Sequence, residues 1–212
     1  MGGKPTALIT GTGRGLGKEL ARQYAADGWN VIGTQRSEMD MNDRAQIGRF
    51  AGSLKGQPID LLFCNAGITG RKGNTPGSFD FEVWEEILRV NLLGAAAVAE
   101  AFLDNVAASE RRVIAMMSSR LGSIAEAGGM TLPYSTSKAA LNMLVKGLSA
   151  LLAPRNIIVV ALSPGWVRTD MGGEQAPLSP EESVRGMRRV ISNLSQKDSG
   201  KFLYHDGSEI PW

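Results

Sequence analysis

Thr10-Gly11-Thr12-Gly13-Arg14-Gly15-Leu16-Gly17 follows the apolar run Ala7–Thr10 and precedes a helical pattern in which Leu16, Leu20 and Tyr24 recur every four residues. Glycines at such a junction let the chain turn sharply and approach a ligand closely. The helix that follows offers free N–H groups to an anion such as a pyrophosphate. A strand before and a helix after distinguish this stretch from an ordinary glycine-rich turn. A P-loop is excluded, because it needs glycine at position 12 and Ser or Thr at position 19, where Thr12 and Glu19 stand.

Outward from this loop, short apolar runs alternate with helical patterns. The further runs are Val31–Thr34, Ile59–Cys64, Val113–Met117, Ile157–Leu162 and Lys201–Tyr204. Ile157–Leu162 is apolar throughout, as expected of a parallel strand covered on both faces. Gly28 is placed to cap the first helix. Trp84, Leu88, Asn91, Leu92 and Ala95 read as one face of a helix, with Asp80, Glu82 and Glu85 near its start. Leu141, Leu144, Val145, Leu148 and Leu152 form another stripe, stopped by Pro154. Ser179-Pro180-Glu181-Glu182 opens a last helix. Alternating strands and helices predict an α/β, Rossmann-type doubly wound parallel sheet in one domain covering residues 1–212. Gln35 to Asp43 leaves too little room for a crossover helix, which takes about a dozen residues. The third strand of a standard sheet is therefore expected to be shortened or missing.

Composition bounds the function. With 212 residues, 43% of them hydrophobic and 21% charged, the chain can bury a sizeable core. Its net charge of +2 gives no support for a nucleic-acid or membrane-surface partner. Cys64 is the only cysteine and His205 the only histidine, so no internal disulfide and no zinc site is expected. The start of the chain lacks the apolar stretch of a signal peptide, and no run nears the roughly 18 apolar residues of a membrane span. A cytoplasmic setting is the expectation. No G-x-S-x-G elbow marks a hydrolase.

Tyr134 and Lys138, four residues apart in YSTSK, fall on one helical face. A free tyrosine, with a pKa near ~10, is a poor acid/base at neutral pH. A neighbouring ammonium stabilises the phenolate, which serves proton exchange with a carbonyl oxygen. Ser118 and Ser119 follow Val113–Met117 at the carboxyl edge, where such sheets bind ligands. Asn91 is polar on an apolar face and, if buried, needs partners.

The sequence resembles the short-chain dehydrogenase/reductase family along essentially its whole length. The motifs are TGTGRGLG (10–17), CNAG (64–67), Asn91 in VNLLG, SSRLG (118–122), YSTSK (134–138) and PGWVRTDM (164–171), in family order. The last motif and the C-terminal KFLYHDGSEIPW look closest to the C-factor and sniffer-like carbonyl reductase branch. The resemblance implies hydride transfer between a nicotinamide cofactor and a small carbonyl or alcohol substrate. It implies that Tyr134 donates the proton, Ser119 holds the substrate oxygen, and Lys138 holds the nicotinamide ribose and lowers the Tyr134 pKa. Asn91 would hold a relay water. Gly11, Gly15 and Gly17, with Leu16, would carry the pyrophosphate. Asn65, Ala66 and Gly67 would back the adenosine side, with Asp40 and Met41 near adenine. Pro164, Gly165, Val167 and Thr169 would position the carboxamide. Relatives often pair through two central helices, so a homodimer or homotetramer is implied. Cys64 replaces the usual second Asn and reads as a buried structural residue. A C-factor-like signalling or sensor protein, binding NAD(P) without turnover, is the alternative from another class.

Cofactor choice can be read beside the second strand. NAD-specific sites place Asp or Glu there, about 20 residues after the glycine loop. Here the strand ends Gly33-Thr34-Gln35-Arg36, without a carboxylate. Arg36 can meet a 2′-phosphate with a bidentate pair, and Arg14 can add a second cation, so NADP(H) is expected. Glu38 is the nearest carboxylate that could oppose this. Arg185, Arg188 and Arg189 read as a solvated helix face, and Trp166 and Met171 as either substrate contacts or packing.

Overall fold

The computed structural model describes residues 3–70 and 77–212. Six parallel strands form one sheet in the order β2-β1-β3-β4-β5-β6. They are β1 (Thr6–Thr10), β2 (Asn30–Thr34), β3 (Leu61–Cys64), β4 (Val113–Met117), β5 (Ile158–Ser163) and β6 (Phe202–Tyr204). β1, β3, β4 and β5 are buried at every residue. Their side chains alternate between two cores with the period of a strand. Ile114, Val159 and Leu62 enter one core; Phe63, Ala115 and Val160 enter the other.

Helices cover both faces. α1 (Gly15–Ala26) and α7 (Pro180–Ser192) close the core of Phe63. α2 (Arg44–Ser53), α4 (Ala95–Ala101) and α6 (Leu132–Leu152) contribute to the other core. Leu141, Val145 and Leu152 on α6 are buried, as the stripe requires. α7 opens with a complete capping box between Ser179 and Glu182.

β2 is an edge strand, and α2 leads straight on to β3. A standard third strand and its crossover helix are missing, as the short Gln35–Asp43 interval demands. That interval is a pair of turns, closed by Glu38 N–H and Met39 N–H on the Gln35 carbonyl and by Asp43 N–H on the Asp40 carbonyl. Met39 and Met41 anchor the turns by burying their side chains in the core.

Two expectations need correction. The face drawn through Trp84, Leu88, Asn91, Leu92 and Ala95 is not a single helical face. α3 (Phe81–Leu88) passes into a π-helical segment, Arg89–Gly94, before α4. Of those five residues Asn91 and Ala95 are buried, while Trp84, Leu88 and Leu92 are half-buried. Second, Arg188 is not a solvated side chain. It crosses from α7 to α1, donating to Gln23 Oε1 (3.1 Å), pairing with Asp27 and lying 4.8 Å over the Tyr24 ring. Arg185 and Arg189 are exposed.

The Gln35–Asp43 turns rest on the π segment. A Cβ on Gly94 would stand 2.7 Å from Met41 Cβ and 2.8 Å from the Met41 carbonyl oxygen. Gly94→Ala should therefore cost ~1–3 kcal/mol, the range for overpacking, and lower the melting temperature by about 3–10 °C. An unchanged melting temperature would show that this contact is loose.

Candidate functional site

The strand order reverses at β1, which pairs with β2 on one side and β3 on the other. Ligands of such sheets bind outside the carboxyl ends at this switch point. Side chains tie the two ends together. Thr10 Oγ1 accepts from Asn65 N–H (3.0 Å) and Ala66 N–H (2.9 Å), while Asn65 Nδ2 donates to the carbonyls of Thr10 (2.8 Å) and Gly11 (3.3 Å). The glycine loop closes on the other side, with Gly11 and Thr12 N–H both on the Thr34 carbonyl (2.9 Å). A cleft of about 550 Å³ opens above these strand ends.

The cradle has the properties of an anion site. A Cβ on Gly17 would collide with the Gly11 carbonyl oxygen, so only glycine allows this packing of loop on helix. α2, α3 and α7 are each capped by a side chain, from Asp43, Asp80 and Ser179. α1 has no side-chain cap and no acidic residue in its first turn. Gly15, Leu16 and Gly17 of its first turn line the cleft together with Gly11, and a helix start suits a pyrophosphate. The residues present therefore fit a dinucleotide.

The reactive side chains come from β4, the π segment and α6. Ser119 caps the 3₁₀ turn Arg120–Gly122, its hydroxyl accepting from Leu121 N–H (3.2 Å). Of the two serines it is Ser118 that lines the cleft, but its hydroxyl donates to Asn142 Oδ1 (2.6 Å) inside the protein. Lys138 is buried, donates from Nζ to the Met117 carbonyl (2.7 Å), and lies 5.5 Å from the centre of the Tyr134 ring. An ammonium has three donors, so two remain for ligand oxygens. Asn91 is engaged through both polar atoms: Oδ1 accepts from Ile68 N–H, and Nδ2 donates to the Ile68 carbonyl (2.8 Å each) and to Ser137 Oγ (3.0 Å). Asn91 thus braces the segment after β3 against α6. Its side chain is a hydrogen-bonded core amide with both N–H donors taken and one acceptor site on Oδ1 left over.

Burial sets the protonation states. It pushes the Tyr134 hydroxyl up to about 12, against the neighbouring Ser119 side chain, which pulls it down. Burial also pulls the Lys138 ammonium down to about 8. Cys64 is buried, and its thiol is pushed up to about 12, which leaves it inert.

The adenosine side joins the predicted residues to several that sequence reasoning missed. Arg14, Arg36, Met41, Asn65, Ala66 and Gly67 line the cleft as expected; Gln35 and Glu86 line it too. Gln35 was legible as the residue directly after β2, whereas Glu86 lies on α3 far along the chain. Asp40 is not on the cleft wall; its Oδ2 accepts from Arg36 Nε (3.0 Å). Glu38 folds back to accept from Gln35 N–H (2.8 Å). Arg14 reaches across to Asp170 (3.2 Å). On the nicotinamide side Pro164, Thr169 and Met171 line the cleft. Gly165 and Val167 lie behind it, Val167 buried and paired with Leu178. Trp166 is exposed and braces this loop through Nε1 to the Gly172 carbonyl (2.8 Å).

This fold and cleft define a nucleotide-binding oxidoreductase, and the comparisons agree. The short chain dehydrogenase family profile matches residues 5–47 and 37–178, and the chain belongs to that family. It is 40% identical over 164 residues to the C-signal protein of Myxococcus xanthus, covering 77% of this chain and 98% of that one. The NADPH-bound carbonyl reductase from chicken fatty liver superposes with a TM-score of 0.89 at 32% identity, over 99% of each chain. The carbonyl reductase Sniffer of D. melanogaster does so with a TM-score of 0.88 at 29% identity, over 99% of this chain and 100% of that one. The C-factor and sniffer-like branch is thus the one this chain resembles.

The two serines separate in a stability measurement. Ser118→Ala leaves Asn142 Oδ1 without its buried donor and should cost ~1–3 kcal/mol in denaturant unfolding, against about 0.5–1 kcal/mol for Ser119→Ala. A larger loss from Ser119→Ala would reverse their assignment.

Proposed function

We propose that this protein is an NADP(H)-dependent oxidoreductase that transfers hydride between nicotinamide and a small carbonyl or alcohol substrate, with Tyr134 as acid/base. The observation that carries this reading is the buried Lys138 with its ammonium 5.5 Å from the centre of the Tyr134 ring, both residues lining the same cleft as the uncapped start of α1. The cofactor supplies the hydride. Ser119 orients the substrate oxygen against Tyr134, whose pKa of about 12 keeps it protonated at neutral pH. A neutral phenol is ready to donate to a carbonyl oxygen. Lys138 holds ribose hydroxyls with its spare donors, and Asn91 keeps α6 and the segment after β3 in register. Pro164 and Thr169 position the carboxamide, with Gly165 and Val167 shaping the loop from behind.

The unpaired Cys64 is consistent with a cytoplasmic setting. Leu93, Met143 and Leu151 remain exposed on the π segment and α6, which supports a homodimer or homotetramer through these helices. A signalling role without turnover has no feature of the site in its favour.

Tyr134→Phe keeps the ring and removes the proton. With NADPH and a panel of aldehydes and ketones, followed by cofactor absorbance, turnover should fall by ~100-fold or more while NADPH binding persists. Substantial remaining activity would sink the assignment. For cofactor choice, no carboxylate follows β2 and Glu38 is turned away. Arg36→Ala should weaken NADPH binding by ~1.5–3 kcal/mol, the range for hydrogen bonds to charged groups, with far less change for NADH. A wild-type protein that binds NADH as tightly as NADPH would show the arginines are not phosphate readers.

A further inference from the structure

Gln46, on the first turn of α2, is not part of the cleft wall, yet it holds together the turn that carries Arg36. Its Oε1 accepts from Asp40 N–H (2.7 Å) and its Nε2 donates to the Ser37 carbonyl (3.0 Å). Its own N–H donates to Asp43 Oδ1 (2.9 Å), the cap of α2. One amide side chain therefore clamps both ends of the Ser37–Asp40 segment to a helix. Asp40 is fixed in turn: Oδ1 accepts from Asn42 N–H (2.9 Å), and Oδ2 accepts from Arg36 Nε (3.0 Å).

This chain of contacts takes up the Nε side of the Arg36 guanidinium. Its two terminal nitrogens make no hydrogen bond among the described residues, and Arg36 lines the cleft. A guanidinium binds phosphate best with two donors held in a plane. An exposed arginine loses rotamer freedom when it binds, which costs affinity. Holding Arg36 by Nε removes part of that cost in advance.

We propose that Gln46 is a positioning residue for cofactor specificity: through Asp40 it presents the terminal nitrogens of Arg36 to the 2′-phosphate of NADP(H). The proposal rests on the NADP(H) reading above. It also reverses the sign expected of Asp40. As a bare carboxylate near a phosphate, Asp40 would repel NADPH, and its removal would tighten binding. As the holder of Arg36, its removal weakens binding.

The test is direct titration of the intact protein with NADPH and with NADH, following cofactor fluorescence, for Gln46→Ala, Asp40→Ala and Arg36→Ala. Met39 and Met41 anchor the turns in the core without Gln46, so Gln46→Ala should keep its fold, checked by its melting temperature. Gln46→Ala and Asp40→Ala are each expected to raise the Kd for NADPH by ~5–10-fold, the worth of about one hydrogen bond, and the Kd for NADH by less than about twofold. Equal weakening of both cofactors, no change in either, or tighter NADPH binding by Asp40→Ala would overturn the proposal. Arg36→Ala separates this failure from that of the underlying reading. If Arg36→Ala weakens NADPH while Gln46→Ala does not, only the positioning role falls. If Arg36→Ala leaves NADPH binding intact, the phosphate reading falls and takes this inference with it.

Discussion

Thr10 and Asn65 bind the carboxyl ends of β1 and β3 to each other, and everything functional is arranged around that junction. The Thr10 hydroxyl is 1% exposed with its residue and takes two backbone N–H groups from the turn after β3. Asn65 returns two hydrogen bonds to the carbonyls that start the glycine loop. Because β1 lies between β2 and β3, this tie fixes where the sheet parts its connections. The glycine loop goes one way and the segment leading to Asn91 goes the other. The cleft is the space between them.

From this junction the catalytic wall is built by successive bracing. Ile68, a few residues on, exchanges two hydrogen bonds with Asn91, and Asn91 reaches Ser137 between Tyr134 and Lys138. Asn91 itself lies on the π segment and is buried. Lys138 completes the circuit by bonding to the last residue of β4. Tyr134 and Lys138 are thus spaced by α6 but placed by β3 and β4. Their opposed shifts, up for the phenol and down for the ammonium, have one cause, the poor solvation of charge in this packed wall.

The strand runs, the glycine loop, the α6 stripe and the capped start of α7 were all legible in the sequence, because each has a local signature. The missing third strand was legible too, from chain length alone between Thr34 and Asp43. What escaped was non-local. A π turn has no residue code, so the segment Arg89–Gly94 read as part of one continuous helix. Arg188 looked like one of three helix-surface cations, and only the packing of α7 on α1 brings it to Gln23 and Asp27. Asp40 reads as a ligand contact from its position, but the fold gives it to Arg36. Gln46 carries no signal at all until Ser37 and Asp40 are seen curled around it.

Loss of the third strand has a consequence on the far side of the sheet. It leaves β2 at the border, with a row of backbone groups that no neighbouring strand pairs. Such borders invite another chain to add on and begin aggregation. β2 is exposed at Asn30 and half-buried from Val31 to Gly33, unlike the wholly buried β1, β3, β4 and β5. Its protection is meagre length and poor strand-forming residues: five positions, beginning with Asn30 and interrupted by Gly33. Substituting valine for Asn30 would make this border a better template, so a residue that looks dispensable for the cleft guards the protein's solubility.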